Sequence, residues 1–99
     1  MSRRNPEQTV RAARKWREDN PAAADYMFSL AMREVNERRH FSFRFVFEQT
    51  RAKDFATVGG GAFKLPNEYA PIFARMFVAE CPEATQYMTL RKSIYDGLV

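Results

Sequence analysis

Cysteine and histidine are almost missing from this 99-residue chain: Cys81 and His40 each stand alone of their kind. A lone cysteine excludes an internal disulfide framework and fits a reducing compartment. With one His and one Cys, an ordinary zinc site would need several carboxylates, and the carboxylates here are scattered without a dense acidic pair. His40 follows Arg38 and Arg39, which repel a cation, so it reads as a surface residue or a phosphate contact. Cys81 falls near an expected helix C-terminus, where the dipole disfavours a thiolate; a half-buried structural thiol is the reading. Glycine is also scarce. Three of the four glycines form Gly59-Gly60-Gly61, followed by "AFKL" rather than Lys-Ser/Thr, so this is no P-loop. Ser29, Ser42 and Ser93 lack a nucleophile-elbow context. The expectation is a non-enzyme with no metal and no cofactor.

Long hydrophobic runs are absent too. No apolar stretch approaches the ~20 residues needed to span a bilayer, and the opening "MSRRNPEQTV" has no apolar leader core. A cytoplasmic protein with no membrane partner is expected. Hydrophobic residues make up 45% and charged residues 28%, a globular rather than disordered balance. The length fits a single domain over residues 1–99.

What is plentiful is arginine and phenylalanine. The net charge is +4, and the 16 basic residues are mostly Arg, the side chain suited to planar contact with phosphate or carboxylate. They cluster. Residues 1–17 hold Arg3, Arg4, Arg11, Arg14, Lys15 and Arg17 against Glu7; residues 38–53 hold Arg38, Arg39, Arg44, Arg51 and Lys53 against Glu48. The stretch between them is acidic. Such blocks imply a sided electrostatic surface. Nine Phe, four Tyr and one Trp can build a core and leave some over for a partner surface.

Asn5-Pro6 reads as an N-cap with Pro at the first helical position, opening a helix near residues 6–19. Asn20-Pro21 repeats that signal for a helix over about 21–38, with Met27, Phe28, Ala31 and Val35 at helical spacing. In "HFSFRFVFEQTR", Phe41, Phe43, Phe45 and Phe47 alternate as in a half-buried strand. Ser42 is nevertheless a good N-cap, with Phe41 and Val46 placed as a hydrophobic staple. The reading is a short extended piece at 40–42 and a helix over 43–53. Phe43, Val46, Phe47 and Thr50 then face inward, and Arg44, Glu48 and Arg51 form an outward stripe. A strand through residue 48 is the competing pattern; it would bury four Phe on one face.

Residues 54–62 are a glycine-containing loop, and "FKL" at 63–65 reads as a short strand. Asn67 is the next N-cap candidate, opening a helix over 67–81 with Tyr69, Ile72, Phe73, Met76 and Phe77 inward. A last helix over 83–95 would carry Tyr87, Leu90 and Ile94 inward. The expected fold is mainly α, a compact domain of four to five helices. It is compatible with a helix-turn-helix or winged helix whose minimal ribbon pairs 40–42 with 63–65, although the connection over 54–66 is much longer than the usual turn.

"FSFRFVFEQTR", "FKLPNEYAPIFARMFVAECPE" and "LRKSIYD" together resemble a group of small, mostly uncharacterised bacteriophage and prophage proteins. The matching positions are Phe63, Lys64, Leu65, Asn67, Ala74, Arg75, Pro82, Glu83 and Arg91, with Pro66 standing where the pattern commonly has Asn. The resemblance implies a phage-derived origin and a compact helical fold. Small phage proteins of this build include DNA-binding regulators and anti-CRISPR proteins, which block host nucleic-acid-targeting complexes.

Two partner classes follow: nucleic acid, most simply DNA, or a host nucleoprotein complex. The candidate contacts are Arg38, Arg39, Arg44, Arg51, Lys53 and Lys64, with Asn67, Tyr69 and Arg75 at the start of a would-be recognition helix. Arg4, Arg11, Arg14 and Lys15 form a secondary basic patch. The bland alternative is a solvated basic face whose arginines pair with Glu34, Glu37 and Glu48.

Overall fold

The structure, a computed structural model, describes residues 5–53, 55 and 63–99. Helix α1 spans Pro6–Asp19. Its start is a complete capping box: the Gln8 amide donates to Asn5 Oδ1 at 2.8 Å, and the Asn5 amide donates to Gln8 Oε1 at 3.1 Å. Helix α2 spans Pro21–Asn36. Asn20 does not cap it with its side chain, as the sequence suggested. The Asn20 amide side chain instead donates to the Trp16 carbonyl at 2.9 Å, closing the end of α1.

Helix α2 ends at Asn36 through a Schellman turn rather than running to residue 38. The Arg39 amide donates to the Glu34 carbonyl and the Arg38 amide to the Val35 carbonyl, both at 3.0 Å. This turn puts Arg38 at φ 56°, a left-handed conformation that usually falls to Gly.

Helix α3 spans Phe43–Lys53, so the alternating Phe segment is a helix. Ser42 Oγ accepts from the Arg44 amide at 3.2 Å, as an N-cap does. Phe43, Val46, Phe47 and Thr50 are buried, while Phe45 is 53% exposed. Residues 63–66 are irregular, and no strand forms among the described residues. Phe41 makes a single parallel bridge to Met88, and its amide donates to the Tyr87 carbonyl at 2.8 Å. The ribbon expected between 40–42 and 63–65 is therefore not formed. Phe41 finds its partner at the other end of the chain.

A 3-10 turn at Asn67–Tyr69 leads into helix α4, Ala70–Glu80. Asn67 lies inside that turn, with Pro66 in the capping position. The last expected helix is absent. Pro82–Gln86 makes only a 3-10 turn, and the chain is then irregular past Met88 before turns over 94–98. Tyr87 is half-buried, Leu90 is 39% and Ile94 70% exposed; Met88 and Tyr95 are the buried anchors instead. Ser93 Oγ accepts from the Tyr95 amide at 3.2 Å, and Asp96 Oδ2 accepts from the Ser93 amide at 2.9 Å. Such local side-chain bonds offer the backbone an alternative to helix.

Helices α1 to α4 share one core. Phe47, Phe73, Met27, Ile72 and Val46 are fully buried within it. Phe28 packs its ring against Phe43, Phe73 and Phe77 at centroid distances of 6.2, 6.4 and 5.9 Å. Most of the aromatic abundance is therefore spent on packing, and Phe45 is the one strongly exposed Phe, Tyr or Trp ring among the described residues. No helix is long and apolar enough to cross a membrane among the described residues.

Candidate functional site

The expected contact residues divide by what already holds them. Arg39 pairs with Glu34 at 2.6 Å and also with Glu37. Glu48 bridges Arg44 at 3.1 Å and Arg51 at 2.9 Å. These are the pairings of the bland alternative. Arg51 is committed further: Nη2 donates to the Leu65 carbonyl at 2.6 Å and to Asn67 Oδ1. It ties the irregular 63–66 segment to α3. Asn67 also accepts from Arg44 at 3.3 Å. Both guanidinium groups lie over the Phe47 ring, at 5.6 and 5.2 Å.

Arg75 is a second internal clamp. Its side chain is only 10% exposed. Nε meets Asp96 at 2.6 Å, Nη1 donates to the Pro71 carbonyl at 2.9 Å, and Nη2 donates to the Arg91 carbonyl at 2.7 Å. The Ser93 amide, together with Arg75, holds the Asp96 carboxyl below its usual range. Tyr69 is buried edge-on against Phe73. Helix α4 contains no other basic residue. It therefore presents no free cation to a DNA groove.

Lys53 lies 5.1 Å from the Tyr26 ring centroid. Lys64 is exposed, and its carbonyl accepts from the Trp16 indole at 2.8 Å. Arg38 is exposed and lines a small polar pocket with Asn36, Gln86 and Tyr87. In the secondary patch, Arg11 and Arg14 are exposed and Lys15 pairs with Asp19 at 3.1 Å; Arg4 and the Gly59–Gly61 loop lie outside the described residues.

Sequence reasoning gave no role to Arg17. Its guanidinium makes a two-pronged bond to Glu80 at 2.6 and 2.9 Å and lies 4.3 Å from the Phe28 ring centroid. The Arg17 bond keeps the Glu80 carboxyl below its ordinary range. The cavity beside this pair, of about 560 Å³, is mixed in sign, with Arg14 and Arg17 against Glu18, Asp25 and Glu80. Burial, with Glu83 beside it, pushes the Cys81 thiol up, away from the thiolate.

A larger groove of about 880 Å³ opens where the starts of α3 and α4 meet the irregular 89–93 segment. Its apolar lining is Phe41, Phe43, Ala70, Pro71, Ala74 and Leu90; its polar walls carry His40, Arg44, Arg75, Arg91 and Lys92. No carboxylate lines it. Arg91 and Lys92 are exposed, and neither side chain makes a hydrogen bond or ion pair among the described residues. Asp96, whose field Lys92 shares, is turned onto Arg75 and Ser93. The groove also faces the first turn of α3, whose amide end favours negative charge. Of the expected contacts it gathers Arg44 and Arg75 and leaves the others outside. Its missed members, Arg91 and Lys92, lie in the segment that the sequence reads as the last helix, 83–95. No protein-family model, curated protein or solved structure matches the chain.

Proposed function

We propose that this chain is a small, non-catalytic nucleic-acid-binding protein that holds phosphates in the groove beside residues 89–93. The observation that carries this reading is the groove's one-signed charge: Arg44, Arg75, Arg91 and Lys92, with no carboxylate among its lining. Cations that already serve the fold add little affinity. Arg91 and Lys92 are not so committed, so their charge is available to a phosphate backbone.

The test is a titration of labelled oligonucleotide at two ionic strengths. With about three phosphate contacts, log affinity should fall by roughly 2–3 per decade of salt. The double change Arg91→Glu, Lys92→Glu should weaken binding about tenfold or more at low salt, with an unchanged thermal melt. Absence of binding at low salt would sink the reading.

A second reading follows from the apolar side chains Phe45, Leu90 and Ile94, which stand exposed at the surface. Such anchors suit a protein partner. Here the chain would be a phage counter-defence protein acting in the bacterial cytoplasm on a host nucleoprotein complex, as the phage-like sequence pattern suggests. A pull-down from nuclease-treated host lysate separates the two. Loss of every partner after nuclease removes this second reading.

A further inference from the structure

We infer that the groove takes a single strand, with bases on its apolar lining and phosphates on its basic wall, rather than a duplex. This rests on the nucleic-acid reading above and narrows it. In a duplex the bases are stacked inside, and a protein surface meets mainly phosphate and groove edges. An apolar lining would then be set against charge. A single strand instead offers base faces, which pack on apolar and aromatic side chains while a basic track follows the backbone. The groove has both parts side by side: Leu90, 39% exposed, and half-buried Pro71 next to Arg44, Arg91 and Lys92. His40, exposed on the same wall, adds a flat ring of the kind on which bases stack.

Three further observations point the same way. The wall is an irregular segment, and the amides of Leu90, Arg91 and Lys92 donate to no protein group among the described residues. Free amides along such a wall suit a strand of unpaired nucleotides. The groove volume, about 880 Å³, lies within the ~300–1,000 Å³ range of clefts that enclose a small ligand; it has room for a few nucleotides of one strand and cannot enclose a duplex. Finally, α4 and α1 lack what a duplex reader needs. Helix α4 offers only the clamped Arg75, and α1 interleaves Arg11, Arg14 and Lys15 with Glu7, Glu18 and Asp19.

The test uses the full chain and four unlabelled competitors against a fluorescent twelve-residue oligothymidylate. The competitors are the same strand, a twelve-base-pair duplex, inorganic polyphosphate and polyglutamate. The strand should displace the probe at about tenfold lower concentration than the other three, because each stacked base adds to the shared electrostatic attraction. Leu90→Ala and His40→Ala, both at exposed positions, should weaken strand binding about fivefold and leave polyphosphate binding unchanged. Duplex binding equal to or tighter than the strand overturns the inference while leaving the nucleic-acid reading in place. Equal competition by polyglutamate, or equal loss of polyphosphate binding in both variants, overturns it as well, the groove being then a plain anion surface. No binding of any polyanion removes both readings together.

Discussion

Two arginine-bearing corners of this molecule use the same chemistry to different ends. At the end of α3, Arg51 is turned inward onto the Leu65 carbonyl, Asn67 and Glu48. Its Nη2 holds the irregular 63–66 segment and the start of the turn that follows, while Nη1 is anchored on Glu48. At the mouth of the groove, the Arg91 carbonyl accepts from Arg75, and the Arg91 guanidinium has no partner among the described residues. One arginine is a structural tie, and the other is an open cation on a backbone that a third arginine fixes. A count of basic residues cannot tell these apart. What separates them is which carbonyl oxygens the fold leaves without a backbone partner, since buried acceptors must be met by something.

Between these corners lies Phe47, fully buried and covered by Arg44 and Arg51. The largest effect of a single substitution is expected there. Phe47→Ala should cost about 3–5 kcal/mol, read from urea denaturation. Phe45→Ala, on the exposed side of the same helix, should stay within about 0.5 kcal/mol. Equal losses at the two positions would break the assignment of α3 faces, and the placement of Arg44 and Arg51 with it.

That face was legible in the sequence because Ser42 caps the helix and Phe43, Val46, Phe47 and Thr50 share a stripe. The Asn5-Pro6 and Asn20-Pro21 starts were legible for a similar local reason, although Asn20 spends its side chain on the preceding helix. The last expected helix failed because the competing interactions are tertiary as well as local. Thr85, Tyr87 and Thr89 are weak helix formers, Ser93 and Asp96 bond the backbone in turns, and Phe41 draws residues 87 and 88 into an extended pairing. The candidate site was half legible. Arg44 stood out by its block of charge. Arg91 and Lys92 lay in a segment read as a helix, and nothing local to it marked it as a groove wall. Nor could the sequence show that Arg75 would be consumed, because its acceptors Arg91 and Asp96 are brought to it by the path of the tail.

The second-largest effect is expected at that clamp. Arg75→Met keeps most of the stem's packing but leaves the Arg91 carbonyl and the Asp96 carboxylate without their donor. The cost should be about 2 kcal/mol, within the range for hydrogen bonds to a charged group, because the acceptors left behind are open to water. The Asp96 and Leu98 amides, which close the tail's turns onto Ser93 and Tyr95, should also exchange faster with solvent hydrogen. A neutral melt with unchanged exchange would mean that the tail is held by Met88 and Tyr95 alone.

Arg51 and Arg91 sharpen the comparison at smaller scale. Arg51→Ala should lose about 1–2 kcal/mol, since its bonds are partly open to solvent. Arg91→Ala should stay within about 0.5 kcal/mol in the same melt. Oligonucleotide binding should rank them in the opposite order, with Arg91→Ala weakened more. If Arg51→Ala were the more damaging to binding at unchanged stability, the open corner would be at α3 and the groove would lose its role.

Arg38 gives the smallest expected effect. It is an arginine in the position of a Schellman turn that Gly usually fills, at φ 56°. A non-glycine residue there costs about 1–2 kcal/mol, while glycine gives back part of that through the freer unfolded chain, about 0.4–1 kcal/mol. Arg38→Gly should therefore stabilise the protein by about 0.5 kcal/mol, whereas Arg38→Ala keeps the strain and should change stability little. The two variants share the loss of charge and differ in backbone. If both weaken oligonucleotide binding equally, the guanidinium extends the basic surface beyond the groove, and the strained position is tolerated for the sake of that charge. If neither does, Arg38 belongs with Arg51 among the cations that binding does not use.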